Sequence, residues 1–487
     1  MGYQMGGDTM LVAKASFEFL PVKIGGLGEA VTSIATYLQR SGDDVWMFMP
    51  SHGIQHMPEA YPLRFRKFLT YEARVGSSWQ TIDVWEGWRD GVRVFALSDP
   101  VMDNPHVYGP TDEDVVDKIF HFAAAVPGLM NYLIAHEGRK PKVFHIHDWH
   151  TTLAGALIKK YFRIPIVLTI NRICYGSTTI RKMYEMGYGE FVDGRWLYGE
   201  GFDLEKFGAY NSDFLTTVSY SYLHEEWDKY FHLFDGKVTY VWNGADTEYW
   251  NLDNIKWNTK PREERRRIIL EDIGMKDGIM YLFVGRFDRA QKGLDILADA
   301  IRMVLDGSKD SPNKAEMRFI IGGDGDPGLK ELVYNLSSQY PDNVYYFGRF
   351  LARDEVRELY GASDFVVVPS KFEPFGLVAL EAMAMEAVPI ASRVGGLKDI
   401  ILDIVSYGDR GTGKLVPPSD PGALADAIIS MGNLAVSTPK FLRLIGRNGR
   451  EHVVSHFTWD KAIKRYKRIY NDMFATYLPF IKYRRPL

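Results

Sequence analysis

A single cysteine, Cys174, among 487 residues excludes an intramolecular disulfide and any metal site built on several thiolates. No apolar stretch reads as long enough to span a bilayer, and residues 1–30 have neither the charged start nor the long apolar run of a secretory signal. Basic charge is not in excess: 58 Lys and Arg stand against 62 Asp and Glu, a net charge of −4, so no global field points to nucleic acid. The local basic runs at 265–267 and 482–485 sit beside acids or within helical patterns and read as solvated faces. Short-period repeats and low-complexity tracts are also missing. These absences predict a soluble, cytoplasmic protein with neither nucleic acid nor membrane as partner.

What is present points to two domains. The length exceeds what one compact core accommodates, and 46% hydrophobic with 25% charged residues is an ordinary globular balance. Apolar runs at 10–15, 44–49, 143–146, 166–170 and 214–219 alternate with amphipathic stretches such as 27–39 and 118–136. Further runs at 279–284, 318–321, 344–347, 365–369 and 388–391 alternate with helical patterns at 293–305, 329–338, 353–361 and 378–385. Such alternation implies right-handed βαβ units and parallel sheets. The expected class is α/β, with Rossmann-like doubly wound domains at 1–250 and 278–458. The polar stretch 251–277, with Pro261 inside it, reads as a linker. Short alternating runs at 64–97, broken by Gly76 and Gly91, read as a hairpin inserted into the first domain. The final stretch, 459–487, reads as a helix able to pack across the domain junction. Open α/β sheets bind ligands beyond the carboxyl ends of their strands, so two domains facing each other predict a site in a deep cleft between them.

Several constellations carry chemistry. Lys23 with Gly25, Gly26 and Leu27 follows the first strand and precedes a helix, where backbone amides and an ammonium can meet a diphosphate. A tight turn with a solvated lysine is the alternative. Arg286 and Lys292 lie six residues apart on the loop after the first strand of the second half. Together they can clamp a diphosphate; otherwise they are two surface cations. Glu373 precedes Gly376 and Leu377, which open a helix, and Glu381 follows eight residues later, about 12 Å at helical rise. That spacing suits one carboxylate on a sugar and the other on a ribose, unless Glu381 is only a helix-face charge. His145, His147, Asp148 and His150 end a strand. Alternating histidines on a strand end do not converge on zinc without further ligands, so hydrogen bonding to sugar hydroxyls fits better than a metal. The glycine-rich loop 322–327 reads as a turn, and neither half offers the dinucleotide fingerprint after its first strand.

In this order, these segments resemble the glycogen/starch synthase family, its archaeal members above all. The resemblance runs through KIGGL at 23–27, HIHDWH at 145–150, LTTVSYSYL at 215–223, VWNGADTEYWN at 241–251 and GRFDRAQKGLD at 285–295. It continues through FVVVPSKFEPFGLVALEAM at 365–383 and IASRVGGLKDII at 390–401, and so spans nearly the whole chain. It implies the GT-B fold and a retaining, metal-free transfer of glucose from ADP- or UDP-glucose to the non-reducing end of an α-1,4-glucan, with no cofactor. By resemblance, Lys23, Gly25 and Gly26 face the donor phosphates and the acceptor side, and Asp148 and His147 belong to the sugar and acceptor cleft. Arg286 and Lys292 match the pair that neutralises the departing diphosphate. Glu373 matches the carboxylate at the donor glucose, Gly376 and Leu377 offer backbone amides, and Glu381 matches the carboxylate on the ribose. Domain closure around the ligands is expected with this fold.

One position departs from the family. Where its members carry a histidine near the reacting centre, after Thr169 and Ile170, this chain has Asn171. An amide still donates and accepts hydrogen bonds but carries no proton near neutral pH. The departure leaves open a weakened activity, an altered specificity or a disabled site. It is also the support for a competing reading, a non-catalytic homologue that binds glucan or nucleotide-sugar. A third reading keeps the fold and changes the acceptor to a small sugar.

Overall fold

The computed structural model describes residues 9–56, 63–109 and 111–482. Contacts divide the chain into two units. The first holds the described residues up to Val218, Trp227–Val241 and those from Ile463 on; the second holds Ser219–Glu226 and Trp242–Ala462.

The first unit's strands run β1 (Leu11–Ala15), β2 (Asp44–Pro50), β3 (Arg66–Val75), β4 (Ser78–Arg89), β5 (Val92–Ser98), β6 (Val143–His147) and β7 (Ile166–Ile170). Three short strands follow, β8 (Ser177–Thr179), β9 (Leu197–Tyr198) and β10 (Gly201–Asp203), which form a small antiparallel sheet of their own. Then come β11 (Phe214–Thr217) and β12 (Val238–Tyr240). The main sheet has the order β12-β11-β7-β6-β1-β2-β5-β4-β3. All its pairings are parallel except β3–β4 and β4–β5. The hairpin in 64–97 is therefore an antiparallel extension of one sheet edge, and its last strand returns parallel to β2. Central strands such as β1 and β7 are buried along their whole length, which is why they read as apolar runs, broken only by Lys14 and Thr169, rather than alternating ones.

The longest helix of this unit, Asp112–Glu137, opens on a capping box in which Thr111 and Asp114 satisfy each other's amides. By length and composition it is long and apolar enough to cross a membrane, which the sequence reading did not anticipate. Half of its most apolar window is buried inside the protein, and the helix also carries buried Lys118 and, within it, Pro127.

The second unit contains β13 (Ile279–Val284), β14 (Met317–Gly322), β15 (Val344–Tyr346), β16 (Phe365–Val368), β17 (Val388–Ser392) and β18 (Lys414–Val416). They form one sheet in the order β15-β14-β13-β16-β17-β18, parallel throughout. Numbered within the unit this is 3-2-1-4-5-6, the doubly wound dinucleotide-fold order. The first unit has the same order along β5-β2-β1-β6-β7-β11, with β4 and β3 added at one edge. The core of the second unit interleaves strand residues Tyr281, Phe319 and Phe365 with helix residues Leu297, Ile301 and Ile428.

The stretch 251–277 differs from its reading as a linker. It carries the helix Arg262–Asp272 and lies wholly within the second unit. Its cations explain the polar composition: Arg266 pairs with buried Asp364, and Arg262 donates to the carbonyl of Glu386. The last helix, Trp459–Lys482, leaves the second unit at Ala462 and belongs to the first from Ile463. Residues 483–487, and with them most of the basic run 482–485, lie outside the described residues.

Candidate active-site residues

In a 3-2-1-4 sheet the chain turns in opposite directions after strands 1 and 4, leaving a crevice at their carboxyl ends. In the second unit these strands are β13 and β16, and the loops that follow them carry residues 285–293 and 369–376. Lys292 Nζ lies 2.7 Å from Glu373 Oε2, and Ser370 Oγ donates to the same oxygen at 3.2 Å. The two loops are laced together: Lys371 N donates to Gln291 O at 2.8 Å. Gly293 has φ +64, and a Cβ there would stand 1.9 Å from Pro369 O, so only glycine allows this approach. Arg286 pairs with Asp288 at 2.9 Å while its side chain stays 38% exposed. Asp288 in turn accepts from the amides of Ala290 and Gln291, which fixes the loop.

Gly376, φ +107, is the N-cap of the helix Leu377–Ala384, and no side chain caps it. Glu373 sits before that helix in the loop, and Glu381 lies within it. The eight-residue separation is thus not a rise along one helix, as the spacing alone suggested. Glu373 is also held from the far side. Gly396 N donates to Glu373 O at 3.0 Å, and Gly395, φ +43, packs so that a Cβ would stand 1.9 Å from the same oxygen. A carboxylate in the loop that leads into an uncapped helix N-terminus thus pairs with an ammonium, and a partly exposed guanidinium stands on the same loop as the ammonium, a set that suits an anionic ligand carrying a polar group.

The corresponding crevice of the first unit lies after β1 and β6. Glu18, which sequence reasoning passed over, organises the loop after β1. Its Oε2 accepts from Ile24 N at 2.8 Å, Gly25 N at 3.1 Å and Gly28 N at 3.3 Å, and its Oε1 accepts from Tyr108 OH. The amide of Gly25, expected to face a phosphate, is therefore engaged by the chain's own carboxylate. An acid just ahead of a glycine-rich helix start was the available signal. Lys23 pairs with Glu29 at 3.2 Å and keeps 44% of its side chain exposed.

After β6, Asp148 adopts φ 56 and accepts at Oδ1 from Asn171 N at 2.6 Å and from Asn171 Nδ2 at 3.3 Å. Burial pushes its carboxyl up to about 7, against the opposing effect of the Asn171 hydrogen bonds. Nearby Glu205 is raised to about 8, by burial and then by Asp148, although it accepts from the amides of Cys174 and Tyr175.

His147 does not belong with these residues. It is fully buried on the sheet face, its Nε2 bonded to Lys14 Nζ at 2.9 Å, which removes it from any sugar-contacting set. Lys14 also bonds His145 Nδ1 at 2.9 Å. His145 further contacts Thr169 and Tyr470 of the last helix. Burial keeps Lys14 well below the usual lysine range. Among the described residues no group of His, Cys, Asp and Glu is arranged to hold a metal ion.

The family model for the starch synthase catalytic domain matches residues 12–236, and that for glycosyl transferases group 1 matches residues 278–433. Glycogen synthase of Thermodesulfovibrio yellowstonii is 27% identical, over 95% of this chain and 98% of its own length. Glycogen synthase of Streptococcus sanguinis is 25% identical, over 93% and 97%. In fold, the catalytic domain of Arabidopsis thaliana starch synthase IV, bound to ADP and acarbose, aligns with TM-score 0.80 at 22% identity, covering 96% of this chain and 99% of that one. Sucrose-phosphate synthase of Thermosynechococcus elongatus aligns at 0.64, also at 22% identity, over 96% and 100%. Two doubly wound units, the starch synthase catalytic model along the first, the glycosyl transferases group 1 model along the second and full-length likeness to glycogen synthases lead to one conclusion: the chain belongs to the glycogen/starch synthase family of retaining GT-B glycosyltransferases.

Proposed function

We propose that the protein is a glycogen synthase, transferring glucose from ADP-glucose to the non-reducing end of an α-1,4-glucan with retention of configuration. The observation that carries this reading is the Lys292–Glu373 pair at 2.7 Å, its carboxylate in the loop that leads into the uncapped start of the helix Leu377–Ala384, with Arg286 on the loop that carries Lys292. The difficult step is loss of a diphosphate from an acetal carbon, which builds charge on the leaving oxygens and an oxocarbenium-like centre on the sugar. Lys292 and Arg286 stabilise the departing charge, and electrostatic stabilisation of this kind is usually the largest single contribution to the rate. Glu373 serves the donor glucose, with the amides of Gly376 and Leu377 beside it, and Glu381 serves the ribose. In the first unit Lys23 and Gly26 serve the donor phosphates, and Asp148 with Asn171 serves sugar hydroxyls. The preference for adenine follows the starch synthase whose structure carries ADP.

The test is release of ADP or UDP from the matching glucose donor with glycogen as acceptor, on this chain and on Asn171→His. ADP release by the unaltered chain is the expected result. UDP release alone would overturn the donor assignment. Silence in the chain with activity in Asn171→His would mean that Asn171 disables a synthase. Silence in both would reject the reading in favour of a glucan-binding homologue or another acceptor.

A further inference from the structure

The helix Tyr220–Glu225 belongs to the second unit, although the strand before it and the segment Trp227–Val241 after it belong to the first. Its place there is fixed by contacts that converge on the loop carrying Glu373. At its start, buried Ser219 accepts from Tyr222 N at 3.1 Å, capping the helix, and donates to Pro374 O at 2.6 Å. Tyr222, fully buried, meets the ring of Phe372 edge-on at 5.3 Å. At its end, the Glu225 carboxylate accepts from Gly395 N at 3.0 and 3.1 Å and pairs with Lys398 at 2.5 Å. The turn it holds is the one whose next amide, Gly396 N, donates to Glu373 O. Asp399 closes the arrangement by accepting from Tyr220 N at 2.7 Å and Trp242 Nε1 at 2.9 Å.

From these contacts we infer that Ser219 and Glu225 are positioning residues for Glu373, acting on the backbone on either side of it without touching substrate. Ser219 fixes the carbonyl that follows Glu373, and Glu225 fixes the turn that receives the carbonyl of Glu373 itself. With Lys292 drawing its carboxylate from the other side, Glu373 is constrained at both backbone and side chain. Misplacing a reacting group by about 1 Å can cost on the order of 100-fold in rate, so this scaffold belongs to the chemistry rather than to general stability.

The inference rests on the proposed role of Glu373, and its test reads two quantities. Hydrogen exchange of backbone amides in 370–377 and 394–397 judges the scaffold without any assay of turnover. Ser219→Ala and Glu225→Ala are expected to speed exchange there while leaving the core of β14 unchanged. Kinetics judge the function: both variants should lower kcat about 10- to 100-fold with KM for the nucleotide-sugar nearly unchanged. Ser219→Thr, which keeps a hydroxyl, and Glu225→Gln, which keeps an acceptor for Gly395 N, should restore most of kcat. Unchanged exchange would overturn the inference, and so would a loss of kcat that neither conservative variant rescues. Silence of both the chain and its Asn171→His variant would reject the proposed function, and exchange would still decide whether the scaffold exists.

Discussion

Lys292 and Glu373 lie in contact with 23% and 10% of their side chains exposed, so their pairing is screened little by water. If Lys292 acts mainly as the donor bond breaks, Lys292→Ala should lower kcat about 100- to 1000-fold and leave KM for the nucleotide-sugar within a few-fold. Steady-state kinetics check this, and an effect confined to KM would reject the role. Asp148 gives a prediction on stability. Its carboxyl titrates near 7 in the folded protein and near 3.9 in an unfolded chain, so the folded state binds the proton more tightly. The stability this contributes is complete below about pH 4 and is lost as the pH rises through 7. Asp148→Asn carries no such dependence, because its amide does not titrate in this range. The gap in melting temperature should therefore shift in favour of the variant from pH 4 to about pH 8, since loss of the Asp148 charge also relieves Glu205, and level off above. Buried His145 and His147, whose pKa values are lowered, and Lys14 affect both proteins alike and cancel in the difference. Thermal melts of the two proteins at stepped pH measure it, and a gap independent of pH would refute the assignment.

At the scale of elements, the sheets were legible because strands covered on both faces are largely apolar, as β7, with the single exception of Thr169, and β13 are. The loops at 23–27, 286–292 and 373–377 stood out because glycine and charge together interrupt such runs. What the sequence hid follows from contacts that periodicity does not encode. The strand β18 has three residues, too few to show a pattern. The polar stretch 251–277 concealed a helix whose arginines are tied to the second unit by partners about a hundred residues away, as Arg266 is to Asp364. His147 looked available for a sugar because its residue type suits one, whereas the strand register turns it onto Lys14. Ser219 and Glu225 reach partners 155 and 170 residues on, and nothing local marks them.

Across the whole molecule, the chain changes unit after Val218, after Glu226, after Val241 and after Ala462. The last crossing places Tyr466 and Tyr470, both buried, on the polar face of the first sheet beside His145 and Thr169. Tyr466→Ala and Tyr470→Ala should each cost about 3–5 kcal/mol, as truncation of large buried aromatics does. The loss should fall on the first unit's transition in calorimetry and spare the second's; equal losses in both would contradict the division. The same crossing has a consequence for how the protein is made. The described strands of the first unit are all synthesised by Val241, yet the helix segment that contacts His145 and Thr169 begins only at Ile463. At about 5–20 residues per second, a ribosome needs roughly 10–40 s to translate the stretch between them. Throughout that interval the nascent first unit waits with its sheet face uncovered while the second folds, so its completion is timed by translation rather than by its own folding rate.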